Sequence, residues 1–213
     1  MLAIWGEVLA ESNDLDGAMD RAQRGGELAG HGGDLAMFGW SCLCLIRVLF
    51  SRGDAAGAAK FVQEMETIAR ESDVPPWFTN YVAAWQTRFW LVQNELEAAS
   101  QWAERRGLDT DGASKSLHEL GFLSLVELAV LVRVLIAQER SSEATRLLPR
   151  LLDTAEAGGP NSRVIEILML QALAFQAGGD TTRAMTTLER ALTLAEPGGF
   201  IRIFVDEGPP MAR

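Results

Sequence analysis

Histidine and cysteine are nearly absent from this 213-residue chain, with two of each. His31 lies in the glycine-rich GHGGD and His118 at the edge of GLDTDGASKSLH, residues 107 to 118. Neither can be placed beside a serine or cysteine nucleophile, and no pair of carboxylates stands out from the acidic faces, so catalysis has little to work with. A non-enzyme with no cofactor and no metal is expected. Cys42 and Cys44 sit two apart in an apolar run, which points their side chains about 200° apart around a helix. They cannot share a ligand, and with no histidine nearby they read as buried, reduced thiols. Long uncharged apolar runs are also missing: Arg47, Glu127 and Arg133 interrupt the most apolar stretches well short of the roughly eighteen residues a membrane span needs. No basic-then-apolar leader opens the chain. Basic residues are few and scattered, 19 against 29 acidic for a net charge of −10, so phosphate backbones and anionic lipid would repel the chain. A cytoplasmic protein is expected, without membrane contact and without direct nucleic-acid contact by this segment.

What the chain does have is a period. Five turn signals recur: NDLDGA (13–18), GDAAGA (53–58), QNELEA (93–98), ERSSEA (139–144) and GDTTRA (179–184). Their closing alanines, Ala18, Ala58, Ala98, Ala144 and Ala184, stand 40, 40, 46 and 40 residues apart. Nine residues before each lies a large apolar side chain: Leu9, Leu49, Phe89, Leu135 or Phe175. Four after each come Ala22, Val62, Trp102, Leu148 and Leu188. Upstream of each turn is a strongly apolar helix, such as 34–51 or 162–177. Downstream is a more amphipathic one, such as 55–72 or 181–196, with apolar residues at i, i+3, i+4 and i+7. One such hairpin cannot bury its apolar face alone, whereas a row of them can.

The fold expected is therefore all-α: a tetratricopeptide-like (TPR-like) right-handed superhelix of about five antiparallel helix pairs in a single domain over residues 1–213. The pairs fall at about 1–30, 34–72, 75–106, 119–157 and 161–196, followed by a C-terminal capping segment at 197–213. The first helices would line an inner groove, and residues 107–118 would form a longer surface loop. Gly107 and Gly112 have the separation of a P-loop, with Lys115-Ser116 beyond, but Ala113 and Ser114 intervene and no strand precedes them. SNDLDG (12–17) begins like a calcium loop, yet Ser12 stands at the first ligand position and Gln23 at the twelfth, where a bidentate glutamate is needed. It reads as a helix–helix turn.

Two features point to binding. Arg47, Arg88 and Arg133 lie inside apolar first helices, where an unpaired charge is costly. Either each pairs with a glutamate of a neighbouring repeat, or they face the groove and grip an anionic or polyhydroxyl ligand. The third pair, with PPWFTNYVAAWQTRFW (75–90) and Trp102 on the helix that follows, is rich in aromatics. Phe89 and Trp90 fall in the packing columns. Trp77, Tyr81, Trp85 and Arg88 are expected to form an exposed groove wall suited to sugars or to flat, apolar ligands.

The end of the chain, RALTLAEPGGFIRIFVDEGPPM (190–211), resembles a landmark of the MalT-like, large ATP-binding members of the LuxR-type transcriptional regulators. Glu196, Pro197, Gly199, Phe200, Arg202, Phe204, Asp206, Glu207, Gly208, Pro210 and Met211 carry the match. Phe200, Ile203, Phe204 and Glu207 are spaced as one face of a short helix, stopped at Gly208, that would begin a truncated sixth unit and cover the fifth. The resemblance implies an excised middle segment of such a regulator, without its nucleotide-binding switch or its helix-turn-helix. It would bind an inducer, a small molecule or a protein, and pass that signal on through self-association and through other domains of the parent chain. A plain scaffold that holds a partner helix or extended peptide, with no small-molecule ligand, is the rival reading.

Overall fold

The computed structural model describes residues 1–72, 74, 76–108, 125–208 and 211, and every regular element among them is helical. Residues 109–118 of the expected loop, with Gly112, Lys115, Ser116 and His118, lie outside the described residues. So do the start of the fourth pair at 119–124 and Pro209-Pro210. The chain divides into two compact units, Met1–Phe89 and Trp90–Arg213. The first holds α1 (Leu2–Glu11), α2 (Leu15–Gly32), α3 (Leu35–Ser51), α4 (Ala55–Glu71) and most of α5 (Pro76–Val92). The second holds the end of α5, then α6 (Leu96–Arg105), α7 (Leu125–Ala137), α8 (Ser141–Gly158), α9 (Asn161–Ala177) and α10 (Thr181–Ala195). A 3₁₀ turn at Glu196–Gly198 and the short α11 (Arg202–Val205) follow.

The five turns within the helix pairs share one construction. A left-handed residue occupies each: Asn13, Gly53, Asn94, Glu139 or Gly179, with φ between 60° and 82°. The N–H of the next residue closes the preceding helix by donating to the carbonyl five positions back, Asp14 to Leu9, Asp54 to Leu49, Glu95 to Trp90, Arg140 to Leu135 and Asp180 to Phe175, at 2.7–3.0 Å. Its own carbonyl accepts the first bond of the following helix, from Ala18, Ala58, Ala99, Ala144 and Ala184. At three turns the carboxylate of Asp14, Asp54 or Asp180 also caps that helix through the backbone N–H three residues on.

This geometry corrects the register of the third turn. Its closing alanine is Ala99, which is fully buried, and not Ala98, which is half-buried. The spacings become 40, 41, 45 and 40, and the equivalents of Leu9 and Ala22 in that pair are Trp90 and Ala103, not Phe89 and Trp102. The doublet Ala98-Ala99 leaves the sequence register open by one residue. Asn94, which tolerates left-handed backbone, decides it.

In the first unit α3 seats on α1 and α2 through a cluster of small side chains, Ala10, Ala18, Ala22, Cys44 and Val48. Gly6 makes this closeness possible, because a Cβ there would stand 2.9 Å from Cys44 Sγ and 3.3 Å from the Ala18 carbonyl oxygen. A second cluster, which includes Cys42, Ile46, Val62, Phe78 and Phe89, joins α3 to α4 and α5. Cys42 and Cys44 thus face opposite cores, both buried and unbridged. Burial, with Glu64 adding to it, pushes the Cys42 thiol up to about 12, and Cys44 rises further for the same leading reason. In the second unit Leu128, Leu135, Leu148, Ile165 and Leu168 are among the fully enclosed side chains of α7, α8 and α9.

The C-terminal segment departs from the helix expected to begin near Phe200. The 3₁₀ turn at Glu196–Gly198, with Gly199 left-handed behind it, delays the helix to Arg202, so α11 is a single turn. Phe204 is its buried residue, and the segment packs on α9.

Candidate functional site

Positions 77, 81, 85 and 88 fall on one face of α5, since a helix returns to the same side every three to four residues. In the first unit that face meets α3. Trp77 stacks on Trp40 with ring centroids 4.9 Å apart and 20° between planes. Tyr81 meets Trp40 edge-on at 5.5 Å. Further along, Trp85 meets Phe50 edge-on at 5.4 Å and stacks near Phe89 at 6.1 Å. The Arg88 guanidinium lies 5.0 Å from the Trp85 ring centroid and 5.3 Å from that of Phe50.

These side chains do not form the freely exposed wall expected from the sequence. Trp77, Tyr81, Trp85 and Arg88 are all half-buried, and the three rings pack on the second core cluster. The reason is α3, which contributes Trp40 and Phe50 as opposing rings, and aromatic pairs in offset or edge-on contact are favoured beyond the area they bury. Neither Trp40 nor Phe50 was singled out in the sequence. Their signal was there, as aromatics in the first helix one period upstream.

The arginines separate. Arg47 donates to Glu7 at 2.9 Å and pairs with Glu11, both on α1. Arg133, in the second unit, is bound from two sides: Nη2 reaches Glu166 of α9 at 2.9 Å and Glu207 at 2.6 Å, while Nε donates to Glu207 at 3.0 Å. Arg163 also pairs with Glu166. Burial alone would lower the pKa of Arg47 and Arg133, but the flanking carboxylates outweigh it and hold both above the ordinary arginine value. Neighbouring helices have therefore engaged the donors that a groove ligand would need, and Arg47 and Arg133 are structural ties, not ligand grips. Glu7, Glu11, Glu166 and Glu207 were not foreseen as partners, because nothing local in the sequence tells which of many glutamates will face a given arginine.

The terminal landmark has a structural role too. Glu207 closes over Arg133, Arg202 pairs with Asp206, Phe204 is buried, and Gly199 and Gly208 take left-handed backbone at φ 65° and 68°.

The α3/α5 face can stack a flat or apolar group beside a cation held over aromatic rings. Among the described residues no cluster of three or more His, Cys, Asp or Glu could hold a metal ion, and no helix is long and apolar enough to cross a membrane. No individually curated protein matches the chain. A family profile does, that of the MalT-like TPR region, and it spans residues 1–213. Paired helices on a forty-residue period, their shared turn construction and this whole-length match together show that the chain belongs to the MalT-like TPR region family.

Proposed function

We propose that this chain is the non-catalytic effector-sensing and protein-interaction module of a LuxR-type, MalT-like transcriptional regulator, and that it binds an inducer against the α3/α5 aromatic face and contributes to self-association. The observation that carries the reading is the ladder of half-buried rings, Trp40, Trp77, Tyr81, Phe50 and Trp85, with Arg88 over its far end. Packing explains why these rings meet. It leaves six aromatic or cationic side chains partly open to solvent along one strip, and such a strip recognises sugars, nucleobases or other flat ligands by stacking. Membership of the family supports the sensor role.

A thermal-shift screen with sugars, nucleosides, aromatic metabolites and acyl compounds tests it. A ligand that binds only the folded chain raises the melting temperature. At least one class should do so, and the shift should shrink in Trp85→Ala while helicity stays unchanged. The reading fails if no class shifts the transition and Trp85→Ala and Arg88→Ala both leave the response of the full-length regulator intact.

A further inference from the structure

Residues 199–208 of the second unit present little apolar surface to the helices beneath them. Phe204 is buried, whereas Ile201 and Val205 beside it are 45% and 53% exposed. Charge supplies a firmer tie. Arg133 of α7 meets the Glu207 carboxylate with both nitrogens of one guanidinium edge, Nε at 3.0 Å and Nη2 at 2.6 Å, the geometry of a strong charge-assisted contact. Other bonds of the segment stay inside it. Arg202 pairs with Asp206, and the backbone N–H groups of Asp206, Glu207 and Gly208 donate to the carbonyls of Arg202, Phe204 and Val205. The ladders of α7 and α9 close within each helix, so departure of the segment breaks none of their bonds.

The charge left behind keeps partners. Arg133 retains Glu166 of α9 at 2.9 Å, and its Nη1 donates to the Ala129 carbonyl of its own helix at 3.3 Å. Arg163 shares Glu166. With the segment in place, Arg133 and Arg163 are balanced by Glu166 and Glu207; without it one positive charge is in excess and water reaches it. Desolvation offsets much of the attraction in a buried pair, so exchanging the Arg133–Glu207 contact for hydration changes the free energy little compared with unfolding the helices. A left-handed glycine stands at either end, Gly199 at φ 65° and Gly208 at φ 68°. Glycine reaches other backbone conformations without a Cβ penalty, which suits both positions to act as hinges.

We propose that residues 199–208 form a strap that docks on α7 and α9 and releases from them as one unit, with Glu207 on Arg133 as its lock and Gly199 and Gly208 as its hinges. Two states that differ in so few contacts are what a signal arriving from elsewhere can bias. The strap belongs to the second unit and stands apart from the α3/α5 face, so its release holds whether or not that face binds a ligand.

Backbone hydrogen exchange, resolved by residue on the 213-residue chain, reads this opening directly. The amides of Phe204 to Gly208 should exchange through one shared opening, populated at least about tenfold more than the opening of the α9 interior at Leu168 to Leu170. Glu207→Gln should raise the exchange of those amides together by at least about a further tenfold, the loss expected for a charge-assisted contact, and leave α9 unchanged. Phe204→Ala, which removes the apolar hold, should open the same set. Protection equal to that of α9 would make the segment part of the common fold, and protection falling residue by residue toward Gly208 would make it a fraying end; either refutes the strap, as does partial opening in Phe204→Ala. An unchanged rate in Glu207→Gln refutes the lock. So does equal acceleration in α9 or a loss of helicity, because Glu207 would then be holding the whole unit.

Discussion

Glu139 holds a left-handed backbone, φ 61°, at the turn between α7 and α8, where two equivalent turns use glycine and two use asparagine. That conformation costs an ordinary L-residue about 1 kcal/mol. Glu139→Gly should therefore raise the stability of the chain by up to about 1 kcal/mol, less the entropy that glycine adds to the unfolded chain, seen as a higher urea midpoint with unchanged slope. Glu127 shows a different tension. Burial raises its pKa, and the nearby Arg106, 2.6 Å away, only partly opposes this. A carboxyl whose folded pKa is raised favours the folded state in its protonated form. Its contribution to stability is therefore present below the ordinary glutamate pKa and is lost as pH rises through the folded value. Glu127→Gln, which can still accept a bond from Arg106, should be at least as stable as the unmodified chain at pH 7. Its advantage should shrink as pH falls through the raised folded value and be gone below the ordinary glutamate pKa, and paired urea titrations at neutral and acid pH would measure the difference.

Whole elements are tied together by charge as well as by apolar packing. Arg133 on α7 is 8% exposed in its side chain and is held by Glu166 from α9 and Glu207 from beyond α11. Removing one partner of a buried pair leaves charge uncompensated, so Glu207→Gln should cost about 3 kcal/mol, moderated by the glutamate that remains. Proteolysis should then cut the chain after α10 sooner than in the unmodified protein. Equal cleavage rates would show that Phe204 and the glycine turns hold the segment without the ion pair. The helices and their turns were legible beforehand from the 3.6-residue apolar rhythm and the recurrent Gly, Asn and Asp signals. The third turn was misplaced by one residue because an alanine doublet satisfies the same pattern twice, and α11 was expected too early because the backbone of Pro197 to Gly199 outweighs the apolar spacing.

At the scale of the molecule, a net charge of −10 sets copies against one another. The self-association proposed for this segment has to overcome that repulsion, so raising the salt concentration should strengthen it by screening, and lowering the pH toward the isoelectric point near 4.7 should do the same. Light scattering across a salt series checks the sign, and dissociation by salt would point to an interface held together by charge. The candidate site was half legible at this scale. The aromatic richness of α5 stood out in the sequence, but its partners Trp40 and Phe50 lie more than thirty residues upstream and are unremarkable alone.

By itself the sequence determined the helical hairpins, their near-forty-residue period, the turn chemistry and the thiols' place in apolar cores, because each follows from side-chain periodicity and backbone preference within a few residues. Only the tertiary structure decided which carboxylate answers which arginine, Glu7 and Glu11 for Arg47 and Glu166 and Glu207 for Arg133. It also decided that the α5 rings lean on α3 instead of standing free. Those outcomes depend on which distant side chains packing brings within a few ångströms, and local pattern carries no record of that.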